Sequence, residues 1–261
     1  MYTKVKAVIW LHLVRLYRYR LSFFGMVLSN IMWVLLALLG VLLFISPEQF
    51  NEATKAAFWS IVGWIFLADF SNLVGGWTNF FISLQMVEEH LIRNTSPFLV
   101  LLGRGVTALI VTVMSSTAMG LVFGSLFSVD ILWLSDPALF LIAALLLVVE
   151  ALSYGLIIAS LAMRTTISYN FLEIASFVLV GLFIVPLDVI PQGLRLIFLS
   201  IPFVAPVHLM KVAAGASHGY LVESLMISSL ESLAISSITI YSIRKTTEYI
   251  MRQGVKAVGM W

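Results

Sequence analysis

The chain has 261 residues, of which 61% are hydrophobic and only 11% are charged, and its mean hydropathy is +1.05. Because soluble domains carry about 25% charged residues, this composition excludes an ordinary soluble domain and predicts a polytopic membrane protein. The absence of cysteine excludes a disulfide framework and any cysteine-based metal or nucleophile site, and a net charge of +2 does not indicate a nucleic-acid partner.

The amino terminus opens with a basic segment, residues 3–20, which predicts a helix lying on the membrane surface. At helical spacing its basic side chains share one face. The residues expected on that face are Lys4, His12, Arg15 and Arg18. The alternative is a basic cytosolic flank that only orients the first span.

Long apolar runs then predict six transmembrane spans. Ser96-Pro97 and Asp136-Pro137 each place a capping residue before a proline, which is the pattern of a helix start. A polar loop that includes Asn51, Glu52 and Lys55 separates the first two runs. The predicted spans are 21–47, 57–81, 97–127, 137–163, a fifth between Arg164 and Pro186, and 222–243.

Four acidic residues, Asp69, Glu150, Glu173 and Glu231, fall in or near these spans. Acids at membrane depth are costly, usually face the bundle interior and mark substrate or ion paths. Asp69 and Glu150 therefore either line a translocation path or pair with Arg104 or with backbone groups between helices. Glu173 and Glu231 either join that path or lie near the membrane surface or a subunit contact.

Between spans 2 and 3, residues 83–96 predict a short amphipathic helix in the only substantial inner loop. Leu84, Val87 and Leu91 fall on one face at helical spacing. The other face carries polar residues, so this segment is either a docking helix or an ordinary polar loop. The residues singled out in it are Gln85, Val87, Glu88, Glu89, His90, Leu91 and Arg93.

Residues 165–215 contain two apolar segments of about ten residues, too short to cross a core that needs about 20. Prolines divide them, and broken backbone at membrane depth needs protein or a water-filled cavity around it. We expect a re-entrant hairpin over 188–215, a candidate for the outer mouth of a transport path. Its gate residues are Pro191, Pro202, Pro206 and His208, although His208 is alternatively a hydrogen-bonded structural residue.

Charge asymmetry predicts the orientation. Twelve basic residues fall in the segments of one side, whereas only Lys55, Arg195 and Lys211 fall on the other. Since basic residues concentrate in cytoplasmic segments, both termini are expected inside and the hairpin outside.

The hairpin also carries a resemblance. After an apolar helix ending at Pro186, the chain reads Ile190-Pro191-x-x-Leu194-Arg195 and then Ile201-Pro202-x-x-x-Pro206-x-His208. This pattern resembles the carboxy-terminal hallmark of the type-2 ABC exporter permeases. The resemblance implies an all-α membrane protein with six transmembrane helices, and agrees with the N-terminal interfacial helix and the extracellular re-entrant hairpin expected before the last span.

In that family the loop between spans 2 and 3 is a coupling helix that docks on a nucleotide-binding subunit. The run EEHLIRNTSPFLVLLGR is similar to the family pattern, including Gly103-Arg104, but departs from it at Asn94-Thr95. The resemblance thus implies that 1–261 is one permease domain, paired with a second, identical or related permease. Separate phosphate-loop ATPase subunits would bind ATP and Mg²⁺, since this chain has no phosphate loop.

The leading expectation is therefore a non-enzymatic permease subunit of an ABC exporter, in a prokaryotic cell membrane, with no metal site and no nucleic-acid partner. The main alternative is an ion-gradient-driven secondary transporter with Asp69 and Glu150 as proton or cation sites. An intramembrane enzyme lacks an apparent nucleophile–base pair. A membrane assembly factor stays open as a further alternative.

Overall fold

A computed structural model describes residues 2–42, 50–165 and 178–255, and over these ranges the chain is helical with no β-strand. A π-helical segment, Ser71–Gly76, joins α3 to α4, and a 3-10 turn, Leu187–Val189, precedes α9. The helices are α1 (Tyr2–Arg18), α2 (Arg20–Leu42), α3 (Phe50–Phe70), α4 (Trp77–Ser83), α5 (Met86–Ile92), α6 (Pro97–Phe127), α7 (Pro137–Ala162), α8 (178–184), α9 (Gln192–Leu199), α10 (Val204–Ala213) and α11 (Leu221–Gln253).

Five of the described helices are long and apolar enough to cross a membrane: α2, the continuous α3–α4 helix, α6, α7 and α11. The chain is therefore a multi-pass helical membrane protein. The pair α9 and α10 also meets the length and composition test when taken together, but it is bent by 106° at a short break. Much of the predicted fifth span lies outside the described residues.

Both predicted helix starts are confirmed, but of the two predicted caps only Asp136 makes a side-chain capping hydrogen bond; Ser96 makes none. Helix α6 begins at Pro97 after Ser96, and α7 begins at Pro137 after Asp136. The Asp136 carboxylate accepts a hydrogen bond of 3.0 Å from the Leu139 backbone N–H, satisfying one of the free donors of the first turn.

One predicted boundary is wrong. Asn51, Glu52 and Lys55, expected in a loop, lie in the first turns of α3. Helix α11 continues to Gln253, beyond Ile243, where the sixth span was expected to end. Polar residues at the end of a membrane helix reach the headgroup region or water, so polarity there does not end the helix.

Helix α7 crosses the α3–α4 helix at a pair of glycines. A Cβ atom on Gly155 would lie 2.7 Å from the Phe70 backbone oxygen, and one on Gly75 would lie 2.7 Å from Ile158. Small residues let helix backbones approach closely in membranes, where packing drives association. The glycines therefore allow the π-helical segment to lie directly against α7.

Helix α11 has its polar face inward and its apolar face outward. Hydroxyl side chains follow the face that packs on α7, while Leu230 is 64% and Leu233 is 68% exposed on the outside. This arrangement is the reverse of that of a soluble protein and fits apolar surroundings. The buried hydroxyl residues are Ser224, Ser228, Ser232, Thr239, Ser242 and Thr246.

Hydrogen bonds between helix ends show which of them lie together at each end of the bundle. On one side Lys4 Nζ donates to the Asn94 carbonyl at 2.8 Å, so the start of α1 lies beside the α5–α6 connection. On the other side the Asp136 N–H donates to the Ala213 carbonyl at 2.9 Å, joining the start of α7 to the end of α10. The bent pair and the α5 segment thus lie at opposite ends of the bundle.

Candidate functional sites

Helix α5 projects from the end of α4 after a sharp turn. Gln85 has a left-handed backbone with φ 57°, which ends the preceding helix and redirects the chain. Val87 is fully buried and anchors α5 to the bundle, whereas Ile92 is 86% exposed. Ile92 therefore presents an apolar side chain outside the bundle, next to the exposed charges of Glu89 and Arg93.

The polar residues of α5 do not all face outward. Glu89 and Arg93 are exposed and form an ion pair one turn apart. His90, expected to face a partner, lies against the Phe81 ring with centroids 5.7 Å apart, and burial is the main cause that lowers its pKa. Glu88 is half-buried. The exposed surface is therefore formed chiefly by Glu89, Ile92 and Arg93.

The prediction of an apolar face on this segment is confirmed in part. Val87 is buried and Leu91 packs against the hydrophobic core, as expected from their spacing. Leu84 is 54% exposed, because it precedes the left-handed turn at Gln85 and so does not belong to the same helix. The helical periodicity holds only from Met86 onward.

Helix α1 packs along α6 through His12. The His12 Nε2–H donates to the Val100 carbonyl at 3.2 Å, and a Cβ on Gly103 would collide with Val8 and His12. His12, expected on the charged face of α1, is instead buried. Burial first, and then the charges of Arg104 and Arg15, lower its pKa to about 4.

Arg104 does not pair with an acid, contrary to one alternative for the intramembrane charges. Its Nε donates to the Leu73 carbonyl at 3.2 Å, and its guanidinium lies 3.7 Å from the centroid of the Trp77 ring. Arg15 of α1 approaches the same ring at 5.1 Å. Among the described residues, no ion pair involves Arg104 or Arg15.

Asp69 is bonded to a hydroxyl group at the middle of the bundle. Thr112 Oγ1 donates to Asp69 Oδ2 at 2.8 Å, and both side chains are buried. Three residues along α6, Ser115 accepts a hydrogen bond of 3.4 Å from Asn30. A polar centre therefore joins α2, α3 and α6.

Glu150 forms a second polar centre between α7 and α11. Its Oε1 accepts hydrogen bonds from Ser232 at 2.9 Å and from Ser228 at 3.4 Å, and its side chain has no exposed surface. Its Oε2 has no partner among the described residues. Buried carboxyl groups need such donors, since an unpaired polar group at this depth is expensive.

The Glu150 contacts belong to a polar seam that runs along α7 and α11. Toward the carboxy-terminal end of α11, Thr239 donates to the Ser153 carbonyl at 3.2 Å, and Arg164 donates to Ser242 at 3.1 Å. The partners of both mid-depth acids are hydroxyl residues on neighbouring helices, which sequence reasoning missed. A signal for them existed in α11, where serine and threonine recur at helical spacing.

Glu173, the remaining acid predicted for the translocation path or for pairing, lies outside the described residues.

The prolines of the bent pair occupy helix starts and the turn. Pro191 directly precedes α9, Pro202 is exposed in the turn and Pro206 lies in the first turn of α10. His208 is buried, and its Nε2–H donates to the Gly219 carbonyl at 3.2 Å. Its contacts are those of a hydrogen-bonded structural residue.

Lys211, expected in an outer segment, is buried in α10. Its Nζ donates to the Phe183 carbonyl at 2.8 Å, and Ser60 Oγ donates to the same oxygen at 2.8 Å. That carbonyl lies in the last turn of α8, just before Pro186, where regular helical partners are missing. The shared acceptor ties α3, α8 and α10 together.

An apolar cavity of about 350 Å³ lies between α3, α6 and α7 and opens at the bundle surface, where Leu141 and Leu145 are 63% and 65% exposed. Only two of its lining side chains carry a hydroxyl group, so it accommodates apolar groups. Prominent among its lining residues are Trp59, Phe66, Val113, Phe140, Leu141 and Val148. Neither Asp69 nor Glu150 lines it.

A search of protein-family models found no match to this chain, and a search of curated protein sequences found no significant match either.

Proposed function

We propose that the chain is the membrane-spanning permease subunit of an ATP-driven ABC exporter. The observation that carries this proposal is α5, a short helix that projects from the end of a long transmembrane helix. Val87 fixes it to the bundle while Ile92, Glu89 and Arg93 stay exposed. Such a helix suits contact with a separate subunit, and the family resemblance gives that subunit its class.

In the proposed topology six spans cross the cell membrane of a prokaryote, with both termini cytoplasmic. Helix α1 lies at the inner interface, and the bent pair α9 and α10 re-enters the bilayer from outside. Supporting this orientation, Lys4 and Asn94 meet at the end of the bundle that also holds α5. The sequence pattern also predicts that most basic residues lie on this side of the membrane.

Two such subunits, identical or related, would form the translocation path, and phosphate-loop ATPases would bind ATP and Mg²⁺. The chain itself would transmit motion and select cargo. Nucleotide-driven closure of the ATPases would displace α5, and α4 would carry that displacement to the π-helical segment. Supporting this route, Trp77 at the start of α4 contacts Arg104 of α6 and Arg15 of α1.

The cargo class we favour is hydrophobic or amphipathic. The apolar cavity between α3, α6 and α7 supports this choice, since it offers a site for an alkyl or aromatic group within the span region. The mid-depth acids have hydroxyl partners, so we assign them to helix pairing and not to cargo contact.

The alternative is a transporter driven by an ion gradient. One observation favours it: Asp69 and Glu150 are both buried near the middle of long helices, and Glu150 Oε2 lacks a partner among the described residues. Carboxyl groups at such positions serve as proton or cation sites in other transporters. This reading predicts flux without ATP.

The test is gentle purification of the tagged chain from its native membrane with mass spectrometry of associated proteins. We expect a phosphate-loop ATPase to co-purify with the wild type and to be lost with Ile92→Asp. Met251→Asp is the matched control, because Met251 is 71% exposed near the same end but lies on α11. It should retain the ATPase.

Either of two results would overturn the proposal. The wild-type chain purified without any ATPase, with flux following a pH or sodium gradient, would favour the ion-gradient transporter. Equal loss of the ATPase in the Ile92 and Met251 variants would show that α5 is not the docking site.

A further inference from the structure

The structure holds two arginine side chains on one tryptophan without an acidic partner. Both guanidinium groups lie within 5.1 Å of the Trp77 ring centroid, Arg104 on the bundle side and Arg15 on α1. The ring offsets part of the cost of burying Arg104, since aromatic faces attract cations. It does not neutralise either charge.

The surroundings of this cluster are cationic. Helix α1 contains four lysine or arginine residues and no acid. Of the two acids of α5, Glu89 is already paired with Arg93, and Glu88 forms no salt bridge with Arg15 or Arg104 among the described residues. His12, one turn before Arg15, is buried and kept neutral, its pKa lowered to about 4 by burial and by both arginines. No described side chain supplies a counter-charge.

In the proposed topology, with α1 at the inner interface, the cluster lies near the level of the lipid headgroups. Arg104 lies two turns inside the start of α6, and Arg15 lies near the end of α1. Trp10 and Tyr17 of α1 are 68% and 76% exposed, as aromatic side chains are at a membrane interface. Arg15 is only half-buried, so an anionic group from the bilayer can reach it.

We propose that Arg15, backed by Arg104 through Trp77, binds the phosphate of an anionic phospholipid headgroup where α1 meets α6. Arginine suits this ligand, because its planar donors match phosphate oxygens in pairs. A bound phosphate also supplies the counter-charge that the buried Arg104 lacks. Lipid occupancy would then fix α1 against α6, beside the connection to α5. The inference does not depend on the energy source of transport.

The experiment measures lipid binding to the detergent-purified chain by native mass spectrometry and by the thermal unfolding midpoint. Phosphatidylglycerol, phosphatidylcholine and inorganic phosphate are the three probes. We expect phosphatidylglycerol to bind and to raise the midpoint more than the other two. Arg15→Gln should weaken this binding about thirtyfold, as for a charge-assisted contact.

Arg18→Gln is the matched control, because Arg18 is exposed one turn further along α1 and makes no described contact with Trp77. It should weaken binding about fivefold, as for any basic residue near an anionic surface. Arg15→Lys keeps the charge but loses the paired donors, so it should weaken phosphatidylglycerol binding less than Arg15→Gln and more than Arg18→Gln. It is the variant to use if Arg15→Gln folds poorly.

Three results would overturn the proposal. Equal weakening by the Arg15 and Arg18 variants would mean general attraction to the helix. Equal binding of phosphatidylglycerol and phosphatidylcholine would mean that the site does not recognise the charge of the headgroup. An equal effect of inorganic phosphate would mean a site for the free anion and not for a lipid.

Discussion

The Oε1 atom of Glu150 lies 2.9 Å from the Ser232 hydroxyl group, and this hydrogen bond joins the middle of α7 to the middle of α11. Ser228, one turn earlier, donates to the same oxygen at 3.4 Å. The contact shows how the bundle accommodates a carboxyl group at mid-depth: hydroxyl groups of a neighbouring helix supply the donors.

Glu150→Gln should keep this seam, because an amide oxygen accepts the same two hydrogen bonds. We expect the free energy of unfolding to change by about 1 kcal/mol or less, and Glu150→Leu to cost about 1–2 kcal/mol more. Reversible unfolding in mixed micelles measures both. If Glu150→Gln is as damaging as Glu150→Leu, the charge and not the hydrogen-bond geometry holds the helices together.

Gly155→Ala should destabilise the chain by about 1–3 kcal/mol, since its new Cβ meets backbone that cannot rotate away. The predicted clash is with the Phe70 oxygen at 2.7 Å. Gly25→Ala is the control, because no atom lies within 4 Å of its Cβ position. It should be neutral or stabilising by up to about 1 kcal/mol. The crossing at Gly155 is incorrect if the two variants unfold alike.

His12 should make the fold sensitive to acid. Its pKa is lowered from 6.5 to about 4, so between these pH values the unfolded chain binds a proton that the folded chain does not. Stability should therefore fall as the pH drops from 6.5 toward 4. His12→Gln keeps a donor for Val100 and should make this part of the profile less steep. An unaltered profile in His12→Gln would contradict the burial of His12.

The chain has no cysteine, so single-cysteine variants report topology directly. Ile92→Cys and Val189→Cys place thiols at sites that are 86% and 75% exposed. A membrane-impermeant thiol reagent should label position 189 in intact cells, and position 92 only in inside-out vesicles. Labelling of both positions from the same side would refute the proposed orientation.

Some elements were predictable because a local rule decides them. The starts of α6 and α7 follow from a proline at the first helical position, joined in α7 by the Asp136 cap, and both signals act within one helical turn. The break between α9 and α10 follows from Pro202 in the same way. The segment around α5 was placed correctly, although the left-handed turn at Gln85 removed Leu84 from its apolar face.

The partners of the buried charges were not predictable, because they depend on which helix faces lie together. Opposite charge suggested Arg104 for Asp69, but Arg104 lies on Trp77 and the donor is Thr112. Thr112 did not stand out as the partner of Asp69, because hydroxyl residues occur throughout the chain. The stripe on α11 was visible in the sequence as helical spacing, but choosing α7 as its neighbour required the fold.

The measurement that tests the docking role of α5 most directly is photo-crosslinking from single positions in living cells. A benzoylphenylalanine residue at position 92 should crosslink to a phosphate-loop ATPase, whereas one at position 251 should not. Crosslinking in this pattern would support the exporter permease and the coupling role of α5. Crosslinks from position 92 only to lipid or to copies of this chain, under conditions in which the chain is correctly inserted, would contradict it.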